Sequence, residues 1–248
     1  MSKSPEIPWK RLTVEGAAIV VSILLAFSID AWWGERQNAY GERIILQALL
    51  DDLQSKKVLL VESRQYSEAI LEATIALLNA GSDPNSDLDG DALDELIQRT
   101  WWYNTSEGWS SAPLQSIVNG QLQSISNPHL IQKISELQIA FSVIKDFCEI
   151  DENFHFGVYS PFLIANAYMP QLTNSAEHEP GFPEARDPYP HFDLSKTHDH
   201  SDLLRRKDFH NMLIAKMDTV NSIHRYAYAG VEEQLDEAID MLVEELSL

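Results

Sequence analysis

Three stretches of the chain carry residue types able to do chemistry. Residues 85–90 read Asn85-Ser86-Asp87-Leu88-Asp89-Gly90, which puts oxygen ligands at positions one, three and five of a calcium loop and glycine at position six. Position twelve of such a loop holds a bidentate glutamate, and here it is Leu96. A site without that ligand is weak, and a solvated turn leading into an N-capped helix accounts for the same residues. The second stretch gathers His191, Asp193, His198, Asp199, His200 and Asp202. A His-x-His pair binds zinc or copper when further ligands fold around it, but this run reads as a loosely held polar loop. The third is Trp101, Trp102, Tyr103 and Trp109 in an irregular segment. Such aromatics form a ligand platform or an interface hot spot, or they plug the end of a helical bundle, which is the preferred reading.

No glycine-rich phosphate loop, Gly-x-Ser-x-Gly turn or His-Glu-x-x-His helix is present. Neither catalysis nor a metal or other cofactor is therefore expected. The lone cysteine, Cys148, falls on an apolar stripe and reads as a packed core thiol rather than a nucleophile.

The elements that would position these residues are helical. Residues 12–33 read LTVEGAAIVVSILLAFSIDAWW, with no charge from Gly16 to Ile29. That length suits a helix crossing a bilayer core of about 30 Å. Lys10 and Arg11 anchor one end, and Trp32 and Trp33 suit the interface at the other. Glu15 and Asp30 bracket the run near headgroup depth, where a carboxylate costs less than at the midplane. A cleaved signal peptide is the competing reading, with Ala26-Phe27-Ser28 as a small-x-small site. Lys and Arg are denser before the span, which predicts a cytoplasmic N-terminal tail (1–11) and a main domain on the far side of an inner, cytoplasmic membrane. Ala18, Ser22, Ala26, Asp30 and Gly34 recur every fourth residue. Small residues at that spacing let helix backbones approach closely in lipid.

Beyond the span, residues 34–248 read as one acidic helical-bundle domain. Glu35 to Ala80 looks helical and can continue the span, with Gly81 as its C-cap. A short helix is expected from Asp91 to about Arg99, and irregular chain over 100–127. Asn127 caps a helix with Pro128 in its first turn, along which Leu130, Ile134, Leu137, Phe141, Ile144 and Cys148 form a seam. Pro161 and Pro170 should break the continuation. Residues 171–202 hold Pro180, Pro183, Pro188 and Pro190 with few aliphatics, a long Pro/His-rich surface loop. A last helix is expected from Asp202 to Glu245, its stripe starting Phe209, Leu213, Val220. The fold class is all-α: an N-terminal transmembrane helix followed by an extramembrane bundle.

Charge is uneven. Of the formal −20, residues 1–11 contribute +2, leaving −22 for the rest. Such acidity disfavours nucleic acid and disfavours lying flat on anionic lipid.

Short pieces of the chain resemble an uncharacterised group of bacterial membrane-anchored helical proteins. They are Glu15-Gly16 and Asp30-Ala31-Trp32 at the ends of the span, GQLQSISNPHL at Gly120–Leu130, the run Phe209 to Leu213, and Glu244-Glu245-Leu246. The resemblance implies an anchor plus a helical bundle and carries no activity or functional residue. The expected function is that of a membrane-anchored interaction module or accessory subunit. Its partners would be the bilayer and either other membrane subunits or further copies of the chain. A ligand-binding or sensing bundle is the alternative, and a metal-dependent hydrolase built on the His/Asp loop a distant third.

Overall fold

The structure is a computed structural model that describes residues 9–88, 90–121, 125–169 and 199–247. Every element among the described residues is helical. α1 spans Trp9–Ser82 in 74 residues, about 110 Å at 1.5 Å per residue. α2 is Gly90–Trp101, α3 Ala112–Ser116, α4 Pro128–Phe154 and α5 Ser160–Asn166. α6 is Ser201–Leu204, α7 Lys207–Ser222 and α8 Val231–Ser247. Wider π-helical turns occupy Ile117–Gln121, His155–Tyr159 and Ile223–Tyr228.

α1 does not stop where the apolar run stops. From Glu15 to Trp33 every side chain is exposed, and among the described residues this stretch holds the one candidate span by length and composition, with mean hydropathy 1.8 in its most apolar window. The helix continues unbroken to Glu42, whose Oε1 accepts from the backbone N–H and hydroxyl of Ser126 at 2.6 and 2.9 Å. Its buried face then begins at Leu46. About 13 Å of helix separates Trp33 from Glu42.

The rest of α1 is the spine of the bundle. It packs against α2, α7 and α8, and α4 packs against α7 and α8. Two apolar clusters result. The one nearer the exposed run joins Leu46, Leu49, Leu53 and Leu60 of α1 to the α4 seam and to Leu235, Ala238 and Leu242 of α8. The far one joins Leu77, Leu93, Ile97, Leu163, Phe209 and Leu213. Each fully buried aliphatic contributes about 1.5–3 kcal/mol, so these clusters carry the fold. The acidic α8 is registered on its neighbours by Lys57–Asp236 and Lys133–Glu237, both at 2.5 Å, and by Arg64–Glu232. Exposed pairs of this kind stabilise little and act mainly on alignment.

Asn127 caps α4 as expected, its side chain accepting from the N–H groups of His129 and Leu130 with Pro128 following. Other expectations are corrected. Gly81 lies inside the last turn of α1 and is not its cap. A Cβ there would stand 2.5 Å from the Leu204 carbonyl oxygen and against the His210 ring, so glycine is required by close approach. α2 begins at Gly90 and runs on to Trp101, beyond the expected Arg99, and Asp91 lies in its first turn, where its carboxylate complements the helix dipole. Residues 100–127 include α3, capped by Ser111, whose hydroxyl accepts from Leu114 N–H at 3.0 Å. Pro161 ends nothing: it sits in the first turn of α5, where an N–H is not needed, directly after a π turn. The expected single last helix is three pieces. Arg206 turns to extended backbone between α6 and α7, its guanidinium paired to Asp208, and a turn at Ala229-Gly230 separates the π segment from α8.

Candidate functional site

Between the two apolar clusters the bundle interior is polar. Three helices each interrupt their stripe with one hydrophilic residue at the same level: Ser67 on α1, Asp151 on α4 and Lys216 on α7, all fully buried. Lys216 Nζ donates to Asp151 Oδ1 at 2.8 Å. The other carboxylate oxygen accepts from the backbone N–H and side-chain amide of Asn104, at 2.8 and 3.1 Å. Asn104 Oδ1 in turn accepts from the Ser67 hydroxyl at 2.6 Å and from Tyr228 OH at 3.4 Å. Tyr228 OH also lies 3.8 Å from Cys148 Sγ.

Burial without a full set of acceptors pulls the Lys216 amine below the usual lysine range, opposed by the Asp151 charge. Burial also pushes the Tyr228 phenol above its ordinary range and the Cys148 thiol up to about 12. Cys148 is therefore a neutral core thiol at pH 7.

This network anchors the tryptophan-rich loop. Asn104 directly follows Trp101-Trp102-Tyr103, so its grip on Asp151 fixes where those rings lie. The four aromatics do not form one patch. Trp109 is buried against Phe141 and Tyr228, with ring centroids 6.1 and 5.6 Å away. Trp101 packs on the far cluster and its indole N–H donates to the Ser160 hydroxyl at 3.2 Å. Trp102 sits edge-on to Tyr66. Tyr103 stacks on His155 at 4.5 Å, beside the exposed ring of Phe156.

His155 opens a π segment and is 4 % exposed, with no hydrogen-bond partner for Nδ1. Burial, then the nearby Lys216 charge, holds its pKa down to about 4. The sign of the consequence is fixed. As pH falls below about 6.5 the unfolded chain takes up a proton at this histidine that the native chain refuses until about pH 4. Stability is present above 6.5 and is lost across that window, at a slope of up to about 1.4 kcal/mol per pH unit. Urea midpoints from pH 7 to 4 should fall more steeply for wild type than for His155→Gln. Parallel curves would remove His155 as the cause.

The other candidate residues are dispersed. Asn85 and Asp87 stand in the turn after α1, and the Asn85 N–H donates to Asp83 at 2.9 Å. Asp89 lies outside the described residues, and Leu96 packs on the far apolar cluster. His191, Asp193 and His198 also lie outside them. Asp199 is exposed and accepts from the Ser201 N–H at 2.8 Å. His200 turns inward instead: Nδ1 lies 2.5 Å from buried Asp94, and Nε2 accepts from the Tyr168 N–H at 2.9 Å. Among the described residues no group of three His, Cys, Asp or Glu is placed to hold a metal. On α1, Ala18, Ser22, Ala26 and Asp30 are exposed, Gly34 is half-buried, and the Ser22 hydroxyl donates to the Ala18 carbonyl at 2.8 Å. Lys10 and Arg11 lie in the opening turns of the helix, while Trp32 and Trp33 are exposed, with the Arg36 guanidinium over Trp32 at 5.6 Å.

Sequence reasoning missed Lys216, Asp151 and Asn104. A signal was present: the α4 seam, spaced four and three, next reaches Asp151, and the α7 stripe of Phe209, Leu213 and Val220 skips over Lys216. Opposite charges at core-facing positions of two packed helices point to a buried pair. Comparison with protein-family models, curated proteins and solved structures finds no match for this chain.

Proposed function

We propose that the chain is a membrane-anchored interaction module, an accessory subunit that works by associating with other spans or with its own copies. The observation that carries this reading is the uncharged run Gly16–Ile29, wholly exposed on a helix that continues without a break into the bundle. Exposed apolar helix of that length is costly in water and suited to lipid. The tail would lie in the cytoplasm and the acidic bundle on the other face of the inner membrane. The Ser22 hydroxyl, satisfied within its own helix, is compatible with that setting.

Close approach would use the face of Ala18, Ser22, Ala26 and Asp30. Ser22→Leu and Ala26→Leu add bulk there while making the segment more apolar, so insertion should survive and association should be lost. Asp30→Leu tests the carboxylate separately, and Val21→Leu, off the stripe, should be silent. The readout is the particle size in mild detergent and the proteins that co-purify from native membrane. A lone monomer of the same size for wild type and every variant would end this reading.

A further inference from the structure

An open cavity of about 620 Å³ lies between α1 and the C-terminal arm, away from the polar layer. Leu71 and Ile75 of α1, with Met217 and Ala229 opposite, give it apolar walls; Asn221, His224 and Arg225 supply polar groups. The volume falls in the range of small-molecule sites, roughly 300–1,000 Å³. The π segment Ile223–Tyr228 shapes one wall. It turns Ile223, Ala227 and Tyr228 into the core while leaving His224 and Arg225 on the cavity. Such wide turns recur at functional sites because they re-aim neighbouring side chains.

Two of the polar groups are uncommitted. Among the described residues Arg225 and Asn221 have no hydrogen-bond or ion-pair partner, in a chain with 38 acidic residues to 18 Lys and Arg. His224 Nε2 lies 3.5 Å from Glu68 Oε1, and its buried Nδ1 has no partner.

We infer that this cavity is a binding site for a small amphiphilic carboxylate. The acid group would lie on the Arg225 guanidinium, with Asn221 as a further contact, and the apolar body against Leu71, Ile75 and Met217. Guanidinium matches a carboxylate with two parallel hydrogen bonds, and the walls suit an aryl or short acyl group. The inference is independent of the anchoring reading, since it uses only the bundle.

The test titrates 3-phenylpropionate into the full chain in phosphatidylcholine nanodiscs, followed by calorimetry. Saturable binding absent from empty nanodiscs is expected. Arg225→Gln should weaken it about tenfold or more, the worth of one charged hydrogen-bonded contact, without moving the thermal melt. Arg205→Gln, exposed and outside the cavity, should leave it unchanged. The proposal is overturned if the isotherm matches empty nanodiscs, or if neutral 3-phenylpropan-1-ol binds as tightly. It is also overturned if Arg225→Gln has no effect or Arg205→Gln weakens binding equally.

Discussion

Lys216→Met should cost about 3–5 kcal/mol of stability, among the largest effects available to a single change in this chain. The substitution keeps the volume and removes the one cation paired, among the described residues, with a carboxylate that is fully buried. Asp151 would then hold its charge in the interior on the donors of Asn104 alone. Asp151→Asn should be milder, because Lys216 already sits below the usual lysine range and can discharge as a neutral amine. The double variant Asp151→Asn/Lys216→Met should recover much of the loss, since it buries no charge and still offers Asn104 an acceptor. Chemical denaturation of all four proteins measures this. A double variant as unstable as Lys216→Met would show that packing, not charge, sets the cost.

Removing residues 1–36 should move the protein from the membrane to the aqueous fraction, an all-or-none change in partition. Full-length chain should resist carbonate extraction and keep its own N-terminus. The physical ground is the exposed run Gly16–Ile29, flanked by Trp32 and Trp33 at the level suited to headgroups. The shortened chain still begins before Glu42 and Leu46, so the bundle contacts of α1 are intact. A soluble full-length product starting near Ile29 would identify a cleaved signal sequence instead.

Periodicity made the helices legible, together with the Asn127 cap and most of the core: the α4 seam from Leu130 to Cys148 is buried residue for residue. What it could not show depends on contacts between distant segments. Gly81 looks like a helix end in sequence because glycine favours caps, whereas the structure uses its missing side chain to let Leu204 and His210 come close. The division of the tryptophan-rich loop between two clusters follows from Asn104 meeting Asp151, a pairing 47 residues apart that no local pattern encodes. The π turns were invisible for a related reason: an extra residue in a helical turn leaves the apolar spacing nearly helical on either side.

A helix that runs from the exposed apolar stretch into the bundle has no swivel. At 100° per residue, the face of Ala18, Ser22, Ala26 and Asp30 points about 150° away from the face of Leu46, Leu49, Leu50 and Leu53 that carries the bundle. Two copies meeting through that stripe would therefore hold their bundles outward, on opposite sides of the paired shafts and clear of collision. The same keyed geometry means that each residue inserted between Trp33 and Glu42 would turn one end about 100° against the other.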